Sequence, residues 1–275
     1  MTEALIADQS SVPPPAVEFG VAAADYATHR QGQPAETYRR LAALGVGLPG
    51  QVVVDLGTGT GDLARGLARR GARATGVDPS TALLAEAARL ATAERLDVAW
   101  RHGTAEATGL PAGGADVVTA AQAWHWFDAP RAAAEARRLL RPGGALAIVY
   151  LDWLEGRGGV VEHTLALVAR HRTEPMPAAT LVGHRGVYPT FPDQLADAGF
   201  TDLELFAYDT ACRYRHAGWH GRMRASAGVA TMTPAQQRAF AADLAAVLAP
   251  LPDPIDVPHR VFALVGRAPA SRVLR

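Results

Sequence analysis

The stretch Gln122-Ala123-Trp124-His125-Trp126-Phe127 crowds a histidine, two tryptophans and an amide directly behind the β-branched run Asp116-Val117-Val118-Thr119. Histidine exchanges a proton near neutral pH, so His125 is a candidate general base or, equally, a hydrogen-bonding group that orients a substrate. An indole face attracts a cation by roughly 0.5 to 2 kcal/mol, which makes Trp124 a candidate contact for a positively charged reacting centre. Trp126 and Phe127 read instead as anchors for the next helix. Two further stretches could do chemistry. In Val52-Val53-Val54-Asp55-Leu56-Gly57-Thr58-Gly59-Thr60-Gly61 a β-branched run breaks into three glycines spaced two apart, and Gly76-Val77-Asp78-Pro79-Ser80 closes an apolar segment with a carboxylate.

The elements that must position these groups follow from periodicity. Residues 52–56 read as a buried parallel strand, and residues 62–70 carry Leu63 and Leu67 at helical spacing before Gly71, a suitable left-handed cap. A strand, a glycine turn and a helix place a ligand over the turn, because side chains there would hold it off the backbone. A dinucleotide fingerprint would have its third glycine at position 62, which here is Asp62. An anion at that point repels a pyrophosphate, so the turn suits a nucleoside without phosphates. Asp78, at the tip of a second strand over 72–77, is placed to accept hydrogen bonds from ribose hydroxyls.

Val52 to Gly61, Gly76 to Ser80, Gly103-Thr104-Ala105-Glu106 and Leu139-Leu140-Arg141-Pro142-Gly143-Gly144 occur in an order and at distances that resemble the class I S-adenosylmethionine-dependent methyltransferases. Residues 122–127 are similar to the small-molecule branch that includes relatives of trans-aconitate methyltransferase. The resemblance covers residues 19 to about 149 and implies S-adenosylmethionine as cofactor, S-adenosylhomocysteine as product, and direct displacement at the methyl carbon. It implies a cofactor site of Asp55, Gly57, Thr58, Gly59, Gly61, Asp78, Pro79, Ser80, Thr104, Ala105, Glu106 and Gln122. Thr104 stands where the family usually has an acid or amide for the adenine amino group, which leaves that contact to the Ala105 backbone and Glu106. The implied fold is an α/β, Rossmann-like, seven-stranded and mostly parallel sheet of order 3-2-1-4-5-7-6, with an antiparallel last strand, helices on both faces and a helical lid.

Composition narrows the alternatives. Formal charge is zero, with 27 basic and 27 acidic residues, so bulk electrostatics point to no nucleic-acid partner. No lysine occurs in the 275 residues, which removes Schiff-base chemistry, a lysine phosphate loop and the Tyr-x-x-x-Lys pair of short-chain reductases. The single Cys212 cannot form an internal disulfide and suits a reducing compartment. Residues 1–20 carry Glu3 and Asp8 without a basic residue, and no apolar run reaches membrane length, so a cytoplasmic protein with no membrane partner is the expectation. His216 and His220 stand at i, i+4 and His163 and His171 eight apart, but no acid-histidine zinc motif or thiolate cluster accompanies either pair, and no metal is expected. Self-association into a homo-oligomer is left open.

Along the chain, residues 1–17 with Pro13-Pro14-Pro15 read as a loose tail before a single domain over 18–275. Helices are expected over 19–30 and 34–44; the resemblance makes the first of them a lid carrying Tyr26, His29 and Arg30. Ser80, Asp128 and Thr233 are helix caps, the last a capping box with Gln236 and with Pro234 at the first helical position. Strands are expected over 98–101, 116–120, 145–150, 200–210 and 260–266. Insertions over about 151–190 and 212–250 could roof a pocket for a small-molecule substrate, and the candidate substrate contacts are Tyr26, His29, Trp124, Trp153, His184, Arg185, Tyr188 and Arg222. Arginine in an apolar pocket would orient a carboxylate or phenolate by forked hydrogen bonds. A nicotinamide-dependent enzyme, a silent S-adenosylmethionine binder, and cyclisation or decarboxylation driven by the sulfonium charge are the competing classes.

Overall fold

Val52–Leu56 (β1), Arg73–Asp78 (β2), Val98–His102 (β3) and Ala115–Ala121 (β4) pair in parallel in the order β3-β2-β1-β4, in a computed structural model that describes residues 32–173 and 186–270. The tail, the first expected lid helix with Tyr26 and His29, and the pair His184 and Arg185 lie outside the described residues. Leu140–Trp153 (β5) continues the parallel set beside β4. Ile255–Arg267 (β7) then runs antiparallel to β5 and to Thr201–Tyr214 (β6), which completes the order β3-β2-β1-β4-β5-β7-β6. The fold is the expected α/β one.

Alternation along the strands divides the core between the two faces of the sheet. Val54, Leu56, Val118, Leu146 and Ile148 pack on one face under Ala129–Leu139 (α4) and Thr190–Asp197 (α6). Val53, Val117, Ala147 and Val149 pack on the other, where Ala35–Ala43 (α1) contributes Tyr38 and Leu41 and Asp62–Ala68 (α2) contributes Leu63 and Leu67. Thr81–Ala93 (α3) is capped by the Ser80 hydroxyl, which accepts the Leu83 N–H. The Asp128 carboxylate caps α4 in the same way through the Arg131 N–H.

Beyond β5 the strands are longer than periodicity suggests: β6 reaches Tyr214 and β7 starts at Ile255, paired residue for residue between Ala211↔Pro258 and Tyr214↔Ile255. This extension carries a third core. Leu151, Val257 and Val261 meet Trp219 and Met223 of His216–Arg224 (α7), Val161 of Val160–His171 (α5), and Phe240 and Leu244 of Pro234–Leu248 (α9). The expected capping box is present, with Thr233 and Gln236 bonding each other's backbone N–H. A short helix, Ala227–Ala230 (α8), joins α7 to α9. Among the described residues no helix is long and apolar enough to cross a membrane.

Candidate active site

The glycine turn adopts the backbone that its residue types dictate. Gly57, Gly59 and Gly61 have φ of 61°, 56° and 76°, the left-handed region that other residues rarely enter. Two of them also admit neighbouring side chains. A Cβ on Gly57 would lie 2.8 Å from the Ala123 Cβ and 2.9 Å from the Phe127 Cζ, and one on Gly61 would collide with the Trp100 ring. Phe127 and Trp100 therefore clamp the turn from the loop after β4 and from β3. Gly57 and Gly59 stay partly open to solvent above it.

Asp55 supports this turn from beneath. It is 1 % exposed, and its two oxygens accept the Thr119 hydroxyl at 2.5 Å and the Thr58 hydroxyl at 2.6 Å. The expected direct contact of Asp55 with a cofactor is corrected accordingly: its carboxylate is consumed within the protein. Burial pushes the carboxyl up to about 6 against the pull of the two hydroxyls. A folded-state pKa raised from 3.8 to about 6 means stability that is fully present below about pH 4 and lost as pH rises through 6. Asp55→Asn lacks that titration, so its stability relative to the parent should improve by about 3 kcal/mol between pH 4 and pH 8. Denaturant unfolding across that range measures it, and a pH-independent difference contradicts it.

Asp78 ends β2 beside the turn. One carboxylate oxygen accepts the Gly59 N–H at 2.8 Å and the other the Ser80 N–H at 2.8 Å, so this acid ties the turn to the start of α3. Burial raises its pKa, and the two N–H groups and the nearby His102 oppose that. Pro79 is exposed and Ser80 half-buried next to it. Across the turn, the Asp62 carboxylate accepts the Gln33 N–H at 3.0 Å, which pins the chain entering α1 over the start of α2. The turn is thus bordered by carboxylates at Asp62 and Asp78. Such an acceptor-rich border suits a donor-bearing, cationic ligand and repels phosphate.

At the end of β3, Thr104 is exposed and Ala105 buried, while Glu106 accepts the Asp128 N–H at 3.0 Å. Glu106 thereby helps to seat α4, which explains an acid there without an adenine. Gln122, at the end of β4, has a φ of 55° and donates its side-chain amide to the Leu151 carbonyl. A left-handed non-glycine residue at a sheet edge stores strain of the kind that clusters at functional sites.

The loop after β4 is a 3₁₀ turn over Trp124–Trp126, and Trp124, expected to face a ligand, is its buried ring. Trp124 is 1 % exposed, donates its indole N–H to the Gln194 side chain at 2.9 Å and packs edge-on to Phe127 at 5.9 Å. It is a core residue closed to ligands, whereas Trp126 is half-buried beside His125 at 5.0 Å between ring centroids. His125 is held twice by one phenol: its backbone N–H donates to the Tyr150 hydroxyl at 3.1 Å and its Nδ1 lies 2.8 Å from the same oxygen. Tyr150 is fully buried on β5, with its ring 4.4 Å from that of Tyr188.

Two residues further along β5, Asp152 accepts the Tyr188 hydroxyl. Tyr188 is 3 % exposed and stacked on Phe191 at 4.7 Å, and burial together with that carboxylate holds its phenol far above the usual range. Tyr188 is therefore corrected from a substrate contact to a group that positions Asp152. On the same edge, the Arg222 guanidinium lies 4.7 Å over the Trp153 ring, with Tyr214 as a hydrogen-bond partner and Asp152 near enough to favour its charge against burial. His125 thus meets Tyr150 on one face of β5, and Arg222 covers Trp153 on the other. Tyr150 and Asp152, which link them, escape a sequence reading because that reading ends the strand at 150; their i, i+2 spacing at a strand terminus is the signal that was available. Among the described residues no His, Cys, Asp or Glu cluster could hold a metal ion.

A doubly wound sheet whose switch between β1 and β4 carries a glycine turn and a ribose-type acid defines a nucleoside-binding α/β enzyme class. Residues 54–148 match the methyltransferase domain family. An uncharacterised methyltransferase of Mycobacterium tuberculosis, Rv3342, is 34% identical over 191 residues, covering 66% of this chain and 74% of that protein. A demethylmenaquinone methyltransferase of Thermus thermophilus is 35% identical over 147 residues, covering 52% of this chain and 65% of that one. A solved structure from Anaeromyxobacter dehalogenans, provisionally assigned as a type II methyltransferase, superposes with a TM-score of 0.63 at 27% identity over 88% of this chain and 99% of the other. The chain belongs to the class I S-adenosylmethionine-dependent methyltransferases.

Proposed function

We propose that this methyltransferase acts on a small-molecule acceptor seated between the glycine turn and the end of β5, with the nucleoside of the cofactor held by Asp78. The observation that carries the reading is the Asp78 carboxylate, which is fixed by the Gly59 and Ser80 N–H groups at the open edge of the turn and has acceptor capacity beyond those two bonds. When bound, S-adenosylmethionine supplies a methyl carbon made electrophilic by the sulfonium. The chain's own residues then have three tasks. Asp78 orients the ribose, the carboxylate-bordered turn favours a cation over a phosphate, and the His125 imidazole, fixed by Tyr150, meets the acceptor. Holding the two reactants in line can supply about 7 to 11 kcal/mol of a displacement barrier. Trp153 and Arg222 are the acceptor contacts in this reading, with the guanidinium available to a carboxylate or phenolate. Zero net charge and the absence of lysine favour a small molecule over nucleic acid. The relative named for demethylmenaquinone has a small-molecule acceptor too.

Asp78→Ala removes hydrogen bonds to a charged acceptor, worth about 1.5 to 3 kcal/mol, and also frees the Gly59 amide that shapes the turn. Calorimetric titration with S-adenosylhomocysteine should show binding weakened at least about tenfold. The parent should gain thermal stability from that ligand and none from a nicotinamide dinucleotide. Parental affinity in Asp78→Ala, or stabilisation by the dinucleotide instead, contradicts the placement.

A further inference from the structure

Gln33 sits in the short segment that leads into α1, and its backbone is locked against the start of α2. Its N–H donates to the Asp62 Oδ2 at 3.0 Å, and a Cβ on the preceding Gly32 would come within 2.5 Å of the Asp62 Oδ1. The segment therefore lies across the helix that opens directly after Gly61. The Gln33 side-chain carbonyl, Oε1, is buried with no hydrogen-bond partner among the described residues. A buried acceptor without a donor costs about 1 to 3 kcal/mol, and native proteins rarely leave one unless a ligand or water completes it.

The chemistry around that atom specifies the missing partner. The charged groups that border the turn, Asp62 and Asp78, are both acids, so neither supplies a cationic donor to it. A cationic donor would gain from the same carboxylates. Resting on the cofactor placement above, in which Asp78 takes the ribose on the β2 side of the turn, the donor left for the Asp62 side belongs to the amino-acid part of the cofactor. We propose that the Gln33 Oε1 accepts a hydrogen bond from the α-ammonium group of the methionyl moiety of S-adenosylmethionine. The orphaned carbonyl is then satisfied only in the loaded protein, and part of the binding energy comes from relieving it.

The test compares two ligands that share the nucleoside and the sulfur, of which only the first carries the amino-acid part with its ammonium: S-adenosylhomocysteine and 5′-methylthioadenosine. Both are titrated into the full chain and into Gln33→Met and Gln33→Leu, and the melting temperature of each protein is measured without ligand. The expected result is a loss of about tenfold or more in S-adenosylhomocysteine affinity, unchanged 5′-methylthioadenosine affinity, and a ligand-free melting temperature equal to or above that of the parent because the orphan is gone. Equal losses for both ligands, unchanged affinity for S-adenosylhomocysteine, or a lowered melting temperature with no discrimination between ligands would overturn the proposal and make Gln33 a packing residue. Failure of both ligands to bind the parent would instead overturn the cofactor placement, and this proposal with it.

Discussion

Trp124→Ala should lower the stability of the protein by about 3 to 5 kcal/mol, the cost of emptying a large buried aromatic site. The indole is enclosed by the core beneath α4 and α6, touches Phe127 edge-on at 5.9 Å, and bonds Gln194 across 70 residues of chain. Removing it leaves the Gln194 carbonyl without its donor and withdraws support from Phe127, whose ring lies against Gly57. The glycine turn should loosen as well, so cofactor affinity should fall together with stability. Trp124→Phe keeps most of the volume but not the N–H and should lose less than the alanine variant. Urea unfolding with both variants checks this. Parental stability in Trp124→Ala would mean that the indole faces the site rather than the core.

His125→Ala should slow a single turnover of methyl transfer to a protic acceptor by 100- to 10,000-fold, the range typical of general-base assistance, with cofactor affinity intact. Tyr150 fixes the ring through Nδ1, and when Nδ1 carries the proton to that phenol, Nε2 is the basic nitrogen. A base must be neutral to act, so the parental rate should rise with pH and level off, and the alanine variant should lose that limb. His125→Gln retains hydrogen-bonding capacity without basicity and should be as slow as the alanine variant. Tyr150→Phe, which releases the ring without deleting it, should fall between parent and His125→Ala. A glutamine variant with near-parental rate would reduce His125 to an orienting group.

The half of the fold around the glycine turn was legible because its signals are local. Three glycines two apart, an acid at the end of an apolar run, and caps at Ser80, Asp128 and Thr233 each depend on neighbours within a few residues. The arrangement around the ends of β4 and β5 was not, because its geometry depends on partners far along the chain. Nothing near Trp124 announces that its indole will find Gln194, and without that bond the choice between Trp124 and Trp126 as the buried ring has no local basis. The expected strand over 260–266 left out Pro258 and His259, although alternate positions from Ile255 are buried. Proline is tolerated there because pairing continues on both sides of it. With β5 expected to end at Tyr150, Asp152 fell outside it, and the connection from His125 through Tyr150 to the cluster of Tyr188, Asp152 and Arg222 could not be drawn.

Methyl transfer from S-adenosylmethionine to a small molecule is tested by following where a labelled methyl group goes. The protein is incubated with methyl-labelled cofactor and, in parallel, a low-molecular-mass cell extract, total RNA and an unfolded protein mixture, with mass spectrometry of each. Label is expected in one or a few small molecules, dependent on the protein and lost in Asp78→Ala. Label confined to RNA or protein, or no transfer from a cofactor that calorimetry shows to be bound, would contradict it.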